Sequence, residues 1–276
     1  MQNQNFSLFI SKISQRIQNS NHLELLLEKF KSNYGLVPVL GFELEFYVSE
    51  KTNIKKIEEL IGRTIKIEKG KNQYEIDLSP STDIIKAIED FYNYKSLLIK
   101  VAEEIDGDII YNCKPDKNDY GSSVHIHINF LDHNGANFFE SEENILHCSR
   151  SICKFLLETF LVFANKLDHF NRLNSNYMNP TNISMGKNNR TTCLRIPYSS
   201  PKRIEHRLSP PDIDLYIAIY VIAKSIYNGL RNPKSIPYYD IIYGNAFDSQ
   251  YNCKPLPKNA NEAKDLFNID FFIVDL

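Results

Sequence analysis

No stretch of this sequence is apolar for long enough to cross a bilayer. The most hydrophobic late segment, Tyr216 to Ala223, falls far short of the roughly 20 residues that a spanning helix needs. Charge of one sign is lacking too. The 32 Lys and Arg nearly balance 34 Asp and Glu, so no bulk field draws the chain to nucleic acid or an anionic membrane. Cys-x-x-Cys pairs are absent. The five cysteines (Cys113, Cys148, Cys153, Cys193 and Cys253) are scattered and odd in number, which argues against a disulfide framework or zinc knuckle and for reduced thiols. The opening MQNQNFSLFISK lacks the basic-then-apolar layout of a secretory signal. The expectation is a soluble, cytoplasmic protein with small-molecule partners, no nucleic acid and no membrane.

What is present is ordinary globular composition, 42% apolar and 24% charged over 276 residues, enough to bury a core. Phe6, Phe9, Ile10, Ile13 and Ile17 fall on one helical stripe, and Leu23 to Phe30 suggest a second helix after Asn21. Strand-like alternation follows over 42–48 and 64–78, the latter broken by a turn at Lys69-Gly70-Lys71-Asn72. Ser79-Pro80-Ser81 reads as a turn before a helix over 83–105 with Thr82 as N-cap. Strands are expected over 108–113, 122–130, 192–196 and 202–208, and helices over 141–169, 212–230 and 261–267. Arg172 to Lys187 reads as a long polar loop. With no repeat or flexible linker, this is one α+β domain.

Residues two apart in a strand share a face. In Phe42-Glu43-Leu44-Glu45-Phe46 the apolar side chains point one way and both glutamates the other. Val124 to Phe130 sets His125, His127 and Asn129 opposite its aliphatics, Tyr74 to Leu78 repeats the pattern with acids, and Arg203, Glu205 and Arg207 share a face. Any one of these strands alone reads as a solvated outer face. Four together, offering carboxylates, imidazoles and guanidiniums with hardly a Thr or Lys, point to one shared concavity. Acids so gathered repel unless cations neutralise them. Carboxylates with one or two histidines suit Mg²⁺ or Mn²⁺ better than zinc, and arginines at the rim suit phosphate and carboxylate groups.

Four segments then resemble glutamine synthetase and related γ-glutamyl ligases, in that family's order and over roughly 35–257. Gly41 to Phe46 resembles its G-x-E-x-E-F strand, and Gly121 to His127 its G-S-G-M-H-x-H strand. Asn189 to Pro197 resembles N-R-S-A-x-x-R-I-P, and Arg203 to Arg207 resembles R-I-E-x-R. The resemblance implies a curved antiparallel β-sheet flanked by helices, with a helical N-terminal extension over 1–34 and a catalytic domain over 35–276. It implies that one metal is held by Glu45, Glu68 and Glu75 and another by Glu43, His125 and Glu205. It places His127, Asn129, Arg195 and Arg203 near the nucleotide, Arg190 and Arg207 on the transferred phosphoryl group, and Arg172 and Gly121 on the amino-acid substrate. The implied activity is amide formation from a carboxylate, such as glutamate, and ammonia or another amine. ATP and Mg²⁺ or Mn²⁺ are the cofactors, and an acyl phosphate is the intermediate.

The chain departs from that pattern in four places. Glu68 and Glu75 stand one residue closer than is typical. Residues 1–34 read as helices where the family carries a β-grasp domain completing a neighbour's site, so a homo-oligomer or a partner chain is expected to supply that wall. Met178, in Asn176-Tyr-Met-Asn-Pro180, stands where a flexible loop carries a glutamate that helps deprotonate the incoming ammonium. Tyr120 replaces a usual asparagine. An alternative remains a non-catalytic or regulatory protein that binds nucleotide and metal. A third reading is phosphoryl transfer to an acceptor other than a carboxylate.

Overall fold

The alternating strands expected from the sequence lie side by side in one open sheet. The computed structural model describes residues 4–273, and its eight strands follow the order β2-β3-β1-β5-β8-β7-β6, with β4 beside the end of β1. They are β1 (Val37–Val48), β2 (Lys66–Ile67), β3 (Gln73–Ser81), β4 (Ile109–Ile110), β5 (Val124–Leu131), β6 (Met185–Lys187), β7 (Leu194–Ile196) and β8 (Ile204–His206). Every pairing is antiparallel except β6 with β7, which is parallel. The α+β class and a mostly antiparallel sheet are therefore as expected.

Helices cover the apolar face: α1 (Gln4–Asn19), α2 (His22–Tyr34), α3 (Ile54–Ile61), α4 (Ile84–Glu103), α5 (Glu142–Phe163), α6 (Leu167–Arg172), α7 (Leu215–Arg231), α8 (Ala260–Leu266) and α9 (Asp270–Ile273). Phe42, Leu44 and Phe46 of β1 and Val124, Ile126, Ile128 and Phe130 of β5 are buried beneath them. Phe42 meets Phe91 of α4 edge-on at 5.4 Å, and Phe130 lies 4.9 Å from Phe30 of α2. Each such side chain taken out of water contributes about 2–3 kcal/mol before entropy is counted. Among the described residues, no helix is long and apolar enough to cross a membrane.

Residues 1–3 of the expected N-terminal helical segment, and 274–276 at the other end, lie outside the described residues. Helices α1 and α2 share the core of the sheet: Ile10, Ile13, Ile17, Leu23, Leu26 and Phe30 are all buried in it. Polar contacts tie them to the α7 region, with Ser14 donating to Asp214 at 2.6 Å and Asn33 to the Tyr227 hydroxyl at 2.7 Å.

Several local expectations are corrected. Ser79-Pro80-Ser81 continues β3 and is no turn. Proline is tolerated because β2 pairs only with Tyr74 and Glu75, so β3 has a free edge there. The N-cap of α4 is Asp83, whose carboxylate accepts from the Lys86 amide at 3.0 Å, and not Thr82. Helix α3, capped by Asn53, had not been anticipated; at eight residues its period is too short to stand out. Phe130 is fully buried between Phe30 and Phe139. Phe130→Ala should therefore cost about 3–5 kcal/mol of stability, read as a lower urea midpoint with the slope of the unfolding transition unchanged.

Candidate active site

Strand pairing turns the alternation of single strands into rows of polar side chains, because directly opposed residues share a face. Glu45 stands opposite Glu75 of β3. Glu43 stands opposite Asp77 of β3 on one side and His125 of β5 on the other. One step along, Gly41 opposes His127, His127 opposes Glu205 of β8, and Glu205 opposes Arg195 of β7. Three rows thus cross five strands on the face away from the helices.

The side chains converge. His125 Nδ1 lies 3.0 Å from Glu43 Oε2 and 3.7 Å from Glu205 Oε1, and its Nε2 lies 3.7 Å from Glu45 Oε1. His127 Nε2 approaches Glu43 Oε1 at 3.1 Å but out of hydrogen-bond alignment. Glu45, Glu68 and Glu75 bring one oxygen each within 4.8 Å of one another, and Glu43, Glu75 and His125 do the same with their own ligand atoms. The first trio coincides with an expected metal set. The second differs from expectation, with Glu75 in the place of Glu205. The cause is visible: Arg195 donates to Glu205 Oε2 at 2.7 Å and Arg207 to Oε1 at 2.5 Å, so guanidiniums occupy both oxygens.

Identical carboxyl groups are driven in opposite directions here. Burial would raise Glu205, but the Arg207 guanidinium and the two histidines hold it at about 2. Glu43 is likewise held well below the usual range by His125 and His127, against its own burial. Glu45 is pushed up to about 8 by burial and by the Glu68 carboxylate, although Arg207, Arg172 and the Ser123 amide oppose this. Glu75 is raised by burial and by the charge of Glu43. The acids on the Glu45–Glu68–Glu75 side therefore lack sufficient positive charge. Carboxylate oxygens with an imidazole are the donor set of Mg²⁺ or Mn²⁺, so these residues fit a divalent ion of that kind.

Two clefts meet at the Glu43–His125 pair. The larger, about 730 Å³, is lined by Glu43, His127, Asn129, Asn137, Arg203 and the strand end Pro80-Ser81. Arg203 Nε donates to His127 Nδ1 at 3.0 Å and its Nη1 to Ser199 Oγ at 3.2 Å. The smaller, about 40 Å³, is lined by Glu45, Glu68, His125, Arg190 and Arg207, with Lys69, Tyr120, Tyr177 and Met178 around them. Arg190 is exposed there. Arg172 does not reach this cleft. It is fully buried, with Nη1 donating to Ser123 Oγ at 2.9 Å and Asn179 Oδ1 at 3.2 Å and Nη2 to the Leu208 carbonyl at 2.5 Å. Gly121 sits over it, and a Cβ there would fall 2.4 Å from Arg172 Cγ. Only glycine allows that approach.

The glutamine synthetase catalytic-domain model matches residues 59–276. This chain belongs to that family. It is 26% identical over 190 residues to γ-glutamylputrescine synthetase PuuA of Escherichia coli (strain K12), covering 66% of this chain and 40% of that protein. It is 28% identical over 179 residues to the glutamine synthetase of Pyrococcus woesei, covering 63% and 40%. With glutamate–isopropylamine ligase of a Pseudomonas species it shares 28% over 211 residues, covering 72% and 45%. The chain thus spans less than half the length of these relatives. Among solved structures, the GmaS/ADP complex superposes with a TM-score of 0.76 at 19% identity, covering 88% of this chain and 66% of that one, a likeness of fold.

Two side chains at the site had not been singled out. Asp77 joins the Glu43–His125 row, a placement already implicit in the alternation of Tyr74 to Leu78. Lys66 donates to Glu75 at 3.1 Å and to Asp77 at 2.5 Å; it comes from a two-residue strand whose register no sequence pattern reveals.

Glu75 contributes to both trios, so it should govern ion binding. Mg²⁺ or Mn²⁺ at a hundredfold excess over its dissociation constant should stabilise the protein by about 2.7 kcal/mol, and Glu75→Ala should remove most of that shift in thermal melts against EDTA. A carboxyl raised in the folded state contributes stability at low pH that is lost as pH climbs through its folded value. With Glu45 at about 8, the metal-free protein should weaken as pH rises from about 6 to 9, and Glu45→Gln should flatten that slope.

Proposed function

We propose that this chain is an ATP-dependent carboxylate–amine ligase of the glutamine synthetase type. The observation that carries the reading is the meeting of Glu43, Glu45, Glu68, Glu75 and His125 within a few ångström, beside Glu205 with its two arginines. The names of the relatives, among them γ-glutamylputrescine synthetase and glutamate–isopropylamine ligase, support the reaction class.

In this reading Glu45, Glu68 and Glu75 hold one Mg²⁺ or Mn²⁺, and Glu43, His125 and Glu75, backed by Glu205, hold another. Bound there, the ions supply positive charge to phosphate oxygens. The larger cleft takes the nucleotide, with His127, Asn129 and Arg203 on its wall. The smaller cleft takes the acid. A carboxylate oxygen of the acid attacks the terminal phosphorus of ATP, ADP leaves, and the resulting acyl phosphate is open to attack by an amine nitrogen, with inorganic phosphate departing.

Arg207, fixed by Glu205, and Arg190, exposed at the rim, are aimed at the charge that develops on the phosphoryl group. Glu205 also holds Arg195, which in turn bonds Asn188 at 2.6 Å, so one carboxylate orients two guanidiniums. At Met178 the chain offers a thioether where an acid stands in the resembling loop. A thioether takes no proton at neutral pH, so the amine must arrive neutral or lose its proton to water. The same residue favours the second reading, a protein that binds nucleotide and metal without forming the amide.

Hydroxylamine distinguishes the two. With ATP, Mg²⁺ or Mn²⁺ and a panel of carboxylic acids, a ligase forms a coloured hydroxamate by trapping the acyl phosphate, and Arg207→Ala should lower its turnover roughly 10²–10³-fold. Absence of both hydroxamate and ADP with every acid would sink the ligase reading and leave the binding protein.

A further inference from the structure

One cation in the smaller cleft has no acid to answer it. Lys69 projects from the tight turn between β2 and β3, and that turn is firmly fixed. The Gly70 amide donates to Gln73 Oε1 at 2.9 Å, and Gln73 Nε2 donates onward to the Gly121 carbonyl at 3.2 Å. Gly70 itself packs so close to Tyr47 that a Cβ would fall 2.2 Å from its hydroxyl oxygen, and that hydroxyl donates to the Tyr120 carbonyl at 2.7 Å. The backbone under Lys69 is therefore locked to the 120–122 segment, while the side chain above it is free.

The ammonium of Lys69 donates to Met178 Sδ at 3.1 Å and stands 5.8 Å from the centre of the Tyr120 ring. Among the described residues, no carboxylate lies within ion-pairing distance of it. A thioether is a weak acceptor, and an aromatic face at that distance adds little. An ammonium held so poorly at the mouth of a cleft is ready to exchange sulfur for an anionic oxygen, a stronger bond by far.

The neighbouring cation is in the reverse condition. Arg172 has three acceptors from the protein itself and no exposed surface. Two of those acceptors, Ser123 and Asn179, line the cleft in front of it. Ser123 occupies the position of the second glycine in the G-S-G-M-H-x-H pattern, and its hydroxyl occupies the place from which a ligand would have met the guanidinium. Arg172 thus positions the cleft wall and does not touch what enters.

We infer that Lys69, and not Arg172, is the cation that receives the second anionic group of the acid substrate, the one that is not phosphorylated. This rests on the ligase reading, and it deepens it: the preferred acid carries two carboxylates, one presented to Arg207 and the ions and the other to Lys69. Loss of the Met178 contact accompanies binding, so the Lys69–Met178 pair opens as the acid enters.

The test compares glutamate with 4-aminobutyrate, which lacks one of its carboxylates, in the hydroxamate assay with the whole chain. The wild type should show a KM for 4-aminobutyrate at least about tenfold above that for glutamate, as expected for one charge-assisted contact. In Lys69→Met the ratio should collapse toward one, and Lys69→Arg should restore it. The KM for ATP serves as the folding control. A ratio unchanged in Lys69→Met, or one that collapses in Arg172→Gln while Lys69→Met retains it, overturns the assignment and leaves the ligase reading intact. Calorimetric titration of glutamate, with Mn²⁺ and a non-hydrolysable ATP analogue present, separates the two claims. Binding that Lys69→Met weakens tenfold, in a protein that forms no hydroxamate, upholds Lys69 as the anion receptor and rejects the ligase. Equal binding by wild type and Lys69→Met rejects the receptor.

Discussion

Carboxylates from neighbouring strands are held against each other on the inner face of the sheet, and most of the molecule can be understood as what makes that tolerable. Glu45 and Glu75 are opposed across β1 and β3 and are both buried. Removing two like charges from water and placing them side by side is costly in any fold. The opposite face of the same strands supplies the compensation, with Phe42, Leu44, Phe46, Ile126 and Phe130 sealed under α2 and α4. A one-residue slip of β1 against β5 would move every one of these apolar side chains to the polar face. The hydrophobic core therefore fixes the register, and the register brings the acids together.

Within that face, environment divides a set of similar groups into different tasks. Glu205 is stripped of water but answered by Arg195 and Arg207, and it stays ionised at about 2. Glu45 is stripped of water and faces Glu68, and its carboxyl rises to about 8. The first is a complete ion pair that anchors two guanidiniums. The second is an incomplete one, and the missing charge is what a divalent ion brings. Separating such groups by their electrostatic surplus or deficit is a sounder guide to role than acidity alone.

Much of this was legible in the sequence because period-two alternation is a local property. Glu43 and Glu45, His125 and His127, and Arg203 and Glu205 each declare their shared face within three to five residues. Which acid meets which histidine is not local. That Glu75, and not Glu205, completes the trio with Glu43 and His125 depends on strand order and on two arginines arriving from β7 and the end of β8. Lys66 and Lys69 escaped notice for a related reason, since a short edge strand and a turn carry no period. The burial of Arg172 could not be read from its own position either; it follows from Ser123 and Asn179, two neighbours brought close only by folding.

The departures from the family pattern gather on one side of the site. His127, Asn129, Arg195, Arg203 and Glu205, which the resemblance assigns to the nucleotide and to metal, all stand on the sheet, where register holds them. Ser123, Tyr120, Met178 and Asn179 lie around the smaller cleft on or beside loops, and the backbone at Met178 is left-handed, with φ 58°. Loops on a rigid scaffold can change without disturbing the core. Such a division keeps the half of the site that handles phosphate and remodels the half that chooses what is joined to what. It is the pattern expected of a protein that retains a reaction and changes its substrates, because loss of the reaction itself would leave the sheet-borne acids as an unrelieved cost to stability.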